Sequence, residues 1–252
     1  MDRLARTVRE QVALGRLLPL GEAADAAWIT ESAAVGALRR AADGVGGVRL
    51  GAVDLALDGE ASEPGRPGGA APVGALPYRP LRITADFEAG LDDPLPRTAE
   101  RLRAALWATA EDWLGVPVHS VDLEVTGLLD GGAAADPVLE GVVVDDGDAA
   151  RELADAPAAG APAALVAAAA LAVPGVLRLT RRLAGLGSGV RVRDTAADAE
   201  GPAGRRVQLQ FAVAAGHRPF AVARAVTAAI APVAAAGAPG PVTTAVVVTD
   251  TH

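Results

Sequence analysis

An α+β fold in two repeated units, each a three-stranded, mainly antiparallel sheet with two helices on one face, is the class this sequence predicts. Three observations lead there. A pattern of helix, strand, strand, helix, strand can be laid down twice, strict apolar and polar alternation marks the middle strand of each set, and an acidic stretch rich in Ala, Gly and Pro separates the two. The units fall at residues 28–128 and 161–252, joined by the linker 129–160 and preceded by an N-terminal helix and connector over 1–27.

In the first unit, Thr30 or Ser32 caps a helix whose apolar positions Val35, Leu38, Ala42 and Val45 recur at helical spacing until Gly46-Gly47 stops it. Pro162 opens the corresponding second helix, which continues through Val166, Ala169 and Val173 to Pro174-Gly175. First strands are expected at 48–57 and at 190–193. In the middle strands Leu81, Ile83, Ala85 and Phe87 alternate with Arg82, Thr84, Asp86 and Glu88, as Val207, Leu209, Phe211 and Val213 alternate with Gln208, Gln210 and Ala212. Period two means one buried and one wet face. The second helices place Leu102, Leu106, Thr109 and Trp113 inward in one unit and Val222, Val226, Ala229 and Val233 in the other, each pair 120 positions apart. Alternating strands at 121–126 and 244–249 close the units, and 58–78, rich in Gly and Pro, reads as a surface loop.

Composition narrows the function. Of the residues 51% are hydrophobic but only 3% aromatic, so the core is built from small side chains. There is no Cys, which excludes disulfides and thiolate metal sites, and all 23 basic residues are Arg. A net charge of −8 argues against nucleic-acid binding, which draws its affinity from phosphate neutralisation. The linker alone holds eight acids against Arg151 and reads as solvated chain. The N-terminus lacks the apolar run of a signal peptide, and the uncharged run 156–177 is mostly Ala, broken by Pro157, Pro162 and Pro174, so neither export nor a membrane span is expected. A cytoplasmic protein follows.

The residues Ile29-Thr30-Glu31 leading into an Ala-rich helix, Val173-Pro174-Gly175-Val176, a strand ending near Gly216, Val222-Ala223-Arg224-Ala225-Val226 and the closing Val246-Val247-Val248-Thr249-Asp250 together resemble the alkaline-shock, or envelope stress response, family of Gram-positive bacteria. The likeness is stronger over 161–252 than over 28–128, and it reads as a tandem duplication in an actinobacterial-type protein. The resemblance implies a non-enzymatic cytoplasmic protein, without catalytic residues or a cofactor, that is brought to the membrane by a small anchored protein partner and acts under cell-envelope stress. This chain departs from the usual single unit by its duplication, its N-terminal segment and its acidic linker.

Searching for chemistry gives little. The run Gly185-Leu186-Gly187-Ser188-Gly189 precedes a strand rather than opening a helix, so it lacks the setting of a phosphate loop, and Ser188 is not centred as in a nucleophile elbow. His119 and Ser120 are strand neighbours pointing to opposite faces, and His217 has no second His near it. No catalytic, cofactor or metal residues are assigned. The candidate residues are instead those of a protein-interaction surface. Asp86, Glu88, Asp122 and Glu124, with Asp54, project from the wet face of the first sheet; a divalent cation there competes with a plain solvated or partner-binding face. Trp107 lies off the inward stripe of its helix, where it either covers the neighbouring unit or contacts a partner. Arg178, Arg181, Arg182, Arg191, Arg193, Arg205 and Arg206 make the stretch 178–206 basic, with a net of +4, against −4 over 79–126. Opposite charge on the two parts permits self-association. The reading is therefore a scaffold or adaptor binding protein partners; the alternatives are a small-molecule or nucleic-acid binding module of α+β type, and an enzyme using the acidic face.

Overall fold

The computed structural model describes residues 15–59, 71–129, 161–182, 189–197 and 202–252. Within them the chain runs β1 (Leu17–Leu20), β2 (Ala27–Thr30), α1 (Glu31–Asp43), β3 (Val48–Leu57), β4 (Leu81–Gly90), α2 (Leu95–Ala108), β5 (Val118–Leu129), α3 (Ala161–Leu171), β6 (Val176–Leu179), β7 (Val190–Thr195), β8 (Gly204–Val213), α4 (Pro219–Ala235) and β9 (Val242–Thr251). The α+β class is as expected. No helix among the described residues is long and apolar enough to cross a membrane.

The sheets depart from the expected pair of three-stranded units. One is three-stranded, in the order β3-β4-β5; the other has six strands, in the order β1-β2-β9-β8-β6 with β7 also on β8. Both mix antiparallel and parallel pairs. β3 pairs antiparallel with β4 and both β6 and β7 pair antiparallel with β8, but β5 runs parallel to β4 and β9 parallel to β8. A helix stands between the strands of each parallel pair, and such a crossover returns the next strand in the same direction. Two of the three extra strands come from the segment read as helix and connector, and the third, β6, from the stretch between α3 and the expected first strand. The expectation of an N-terminal helix falls mostly on residues outside those described, whereas Leu17–Leu20 and Ala27–Thr30 are strands, and β2 runs parallel to β9 from Ala27↔Val246 to Ile29↔Val248. All four residues of each strand are buried, so no alternation betrays them.

Thr30 caps α1 by accepting from the Ala33 N–H. The helix buries Ala33, Ala34, Ala37, Leu38 and Ala42, with Val35 only partly covered, and it packs against β3 of one sheet and β9 of the other. The core is accordingly one continuous cluster. Leu81, Ile83, Ala85 and Phe87 line it from β4, and Val207, Leu209, Phe211 and Val213 from β8, all at 1% exposure or less. On β8, however, Gln210 and Ala212 are buried too, so this strand is covered on both faces. A smaller cluster behind it joins Leu17, Ala26, Trp28, Ala245 and Val247, against which Tyr78 packs at 5.4 Å from the Trp28 ring.

The helix phase after Leu106 also differs from expectation. Ala110 and Leu114 are buried where Thr109 and Trp113 were expected, over the π-helical extension Thr109–Leu114 that continues α2. The same spacing of four recurs in the α-helical α4, where Ile230 and Ala234 are buried in place of the expected Ala229 and Val233, so the π turn is not what sets it. Trp107 and Trp113 are both half-buried against the core. Trp107→Ala and Trp113→Ala should therefore cost similar stability, each below the roughly 3–5 kcal/mol of a fully buried Trp; urea melts that put Trp113 alone in that range would restore the helix phase with Trp113 inward.

Candidate functional site

The acidic cluster sits where its spacing placed it, on the solvent face of the three-stranded sheet. Asp54, Thr84 and Asp122 form one row across β3, β4 and β5, and Asp86 stands beside Glu124 in the next. Arginines interleave with them. Arg82 reaches Asp58 at 2.8 Å and Asp122 at 3.5 Å, and Arg49 holds Glu88 at 2.6 Å. Arg16 lies 3.1 Å from Asp54 and 2.7 Å from Glu31. Partial burial pushes the Glu31 carboxyl up, but hydrogen bonds from the Arg16 side chain and backbone outweigh it and hold the group below the ordinary carboxylate range. Asp86 and Glu124 make no ion pair among the described residues. Nor do three or more His, Asp or Glu gather there in a way that could hold a metal ion.

The seven arginines of the basic stretch divide into three groups with different work. Arg205 is 4% exposed and so lies out of reach of any partner. Its guanidinium grips Asp194 through two hydrogen bonds of 2.6 and 2.8 Å and donates to the carbonyls of Ala234, Ala236 and Gly237, closing the C-terminal end of α4. The hydrogen bonds from Arg205 hold the Asp194 carboxyl below its ordinary value. Arg178 and Arg182 share Asp250, at 3.9 and 3.5 Å, and Arg181 is also engaged within the chain. Arg191, Arg193 and Arg206 remain on the solvent face of β7 and β8. Arg193 lies directly across from Arg206 and Arg191 across from Gln208, with no ion pair among the described residues. Like charges face to face across strands repel, which leaves this patch short of negative charge.

The other sequence candidates are engaged locally. His119 Nε2 lies 3.5 Å from Asp58, and His217 Nδ1 lies 3.1 Å from the Ala215 carbonyl. Residues 185–188 of the glycine run fall outside the described residues. Gly189 accepts from the Gln210 N–H and is left-handed at φ +73°, where a Cβ would fall 2.6 Å from the Thr180 carbonyl oxygen.

Two features escaped the sequence reading. The first is a cleft of about 570 Å³ lined by Gly21, Glu22, Asp25, Glu111, Phe220 and Arg224 among others. Phe220 is wedged there between Gly21 and Gly115, where added Cβ atoms would lie 2.2 and 2.5 Å from its side chain. Arg224 stands 5.8 Å above the Phe220 ring and 3.5 Å from Asp25, and Arg218 donates to the Asp112 carbonyl. Nothing local in the sequence announces a contact between residues a hundred positions apart. The second feature could have been found. Residues Ala161–Leu171 of α3 are all apolar, yet Leu165 is 58% exposed, and Leu171, with Leu177 just beyond, is 49% exposed. A helix apolar on every side needs a cover on every side.

No protein-family model, curated protein or solved structure matches this chain.

Proposed function

We propose that this chain is a non-enzymatic scaffold that binds a protein partner through the outward face of α3. The exposure of Leu165 and Leu171 on a helix without a polar residue carries the reading. In α1 the outward positions are Ser32, Arg39, Arg40 and Asp43, side chains that water satisfies. The corresponding positions of α3 are Ala and Leu.

The resemblance to the envelope stress response family supplies the wider role: a cytoplasmic adaptor, engaged under cell-envelope stress, whose partner is a small membrane-anchored protein. An internal duplication fits that reading. In both halves a helix is followed by an antiparallel strand pair, a second helix and a parallel strand, and the inward residues Leu102, Leu106, Ala110 and Leu114 precede Val222, Val226, Ile230 and Ala234 by 120 positions. On this reading β1 and β2 are additions to the second unit.

Leu165→Glu/Leu171→Glu is the test. The variant should keep its far-ultraviolet circular dichroism and melting point, since both side chains are half in water, while losing the proteins that wild type captures from its own cells, as read by mass spectrometry. Capture of the same proteins by both chains would sink the α3 reading. The second reading, a small-molecule binding module, draws on the cleft beside Phe220, whose carboxylates Glu22, Asp25 and Glu111 suit a cationic ligand. A ligand that raises the melting point of wild type and not of Phe220→Ala would favour it.

A further inference from the structure

Two irregular stretches of backbone meet at the cleft beside Phe220. Ala26, at φ 47° and ψ 44°, is the only residue other than glycine with a positive φ among the described residues, and it directly follows Asp25. The π-helical stretch Thr109–Leu114 carries Glu111. Left-handed non-glycine residues and π turns both cost stability, and both recur where a protein binds something. Asp25 and Glu111 line the same cleft of about 570 Å³, a volume that suits a small molecule.

The lining defines what would fit. Its described residues include three carboxylates, Glu22, Asp25 and Glu111, against the single guanidinium of Arg224, a net of −2. Asp25 is already served, since it accepts from the Glu22 N–H at 2.9 Å and lies 3.5 Å from Arg224. Glu22 and Glu111 are exposed and form no ion pair among the described residues. The three carboxylates do not close around one point, because no three such groups among the described residues could hold a metal ion. Val116, Pro117 and the Phe220 ring supply apolar surface in the same lining. Negative charges set apart beside apolar surface call for positive charges set apart on an apolar chain.

Arg224 shows how the cleft receives such a group. Its guanidinium stands 5.8 Å over the Phe220 ring and 3.5 Å from Asp25, yet its side chain is 68% exposed. An exposed pair of that kind is weakly held, so an incoming cation can take its place.

We propose that this cleft binds a linear aliphatic diamine or polyamine, whose ammonium groups meet Glu22 and Glu111 and whose methylene chain lies along Val116 and Phe220 as Arg224 swings clear of the ring. The inference rests on the small-molecule reading of the cleft and narrows its ligand from a cation to a chain with two or more charges. It makes no use of α3.

Isothermal titration calorimetry of the full chain at about 20 mM salt, where exposed pairs are least screened, tests it. The probes are diaminobutane and spermidine, with butylamine as the control for a single charge and magnesium chloride as the control for charge without carbon. Both polyamines should bind saturably at one site, about tenfold or more tightly than butylamine. Glu22→Gln and Glu111→Gln, which alter exposed carboxylates, should each weaken that binding about threefold or more, and Arg224→Gln should strengthen it about as much by removing the competing cation. Arg97→Gln, at the opposite end of α2 from the cleft, should change nothing. No binding of either polyamine, magnesium that binds as tightly, affinity untouched by both glutamate changes, or weaker binding in Arg224→Gln overturns the proposal. Butylamine that binds as tightly as diaminobutane, with the same loss in both glutamate variants, overturns it as well, but leaves the cleft a cation site and the small-molecule reading standing.

Discussion

A chain begun at Glu31 is expected to lose its cooperative fold. The deletion removes β1 and β2, and with them Leu17, Leu18, Leu20, Trp28 and Ile29, each at 1% exposure or less. Burying such a side chain contributes roughly 1.5–3 kcal/mol, so the five together contribute about 8–15 kcal/mol, as much as the whole stability of a typical domain. The loss extends beyond the strands themselves. Val246, Val247 and Val248 of β9 would lose their parallel neighbour, and the Trp28 ring would no longer cover Ala245 and Val247. Residues 161–252 have an alternating core pattern that looks complete, yet by the same physics that fragment alone should be marginal. Circular dichroism and a thermal melt decide it; a cooperative transition near the wild-type midpoint in the shortened chain would mean that the second sheet stands without β1 and β2.

The second large effect is expected from Phe87→Ala and Phe211→Ala, one at the centre of each sheet and both fully buried. Each should cost about 3–5 kcal/mol through lost burial and the cavity left behind. Because α1 packs on β3 and β9 at once and both phenylalanines belong to one continuous cluster, each substitution should shift a single transition of the whole molecule. Tryptophan fluorescence samples both sheets, through Trp28 on β2 and through Trp107 and Trp113 beside the three-stranded sheet. Its urea curve should overlay that from far-ultraviolet circular dichroism in wild type and in both variants. Two separated transitions, each moved by only one substitution, would instead describe two independent units.

The candidate surface was partly legible in the same way. Alternation along β5 and β7 was enough to send Asp122, Glu124, Arg191 and Arg193 to solvent, because a strand alternates its side chains whatever it pairs with. Arg205 lies two residues before Val207 and shares its inward phase on β8, but that phase does not say what a buried guanidinium meets there. What engages it is the end of α4 and Asp194 on the adjacent strand, and no spacing within 178–206 encodes those partners. Trp113 failed because the inward stripe steps by four residues to Ala110 and Leu114, as it does again in α4, and neither side-chain pattern nor composition distinguishes Thr109 from Ala110 as the next inward position.

By itself the sequence determined the features that repeat over short distances. The alternating strands β4 and β8, the Thr30 cap of α1, the helices that follow those two strands and the absence of thiol chemistry follow from side-chain period, capping chemistry and composition, all of them local. Tertiary structure alone decided that β2 lies beside β9, that one core serves both sheets, that Phe220 closes against Gly21 and Gly115, and that Arg205 meets Asp194 while Arg178 and Arg182 meet Asp250. Those outcomes depend on pairings between segments far apart in the chain. Fully buried strands such as β1 and β2 lack any alternation to announce them, and their place is set by whichever sheet edge leaves the least apolar surface in water.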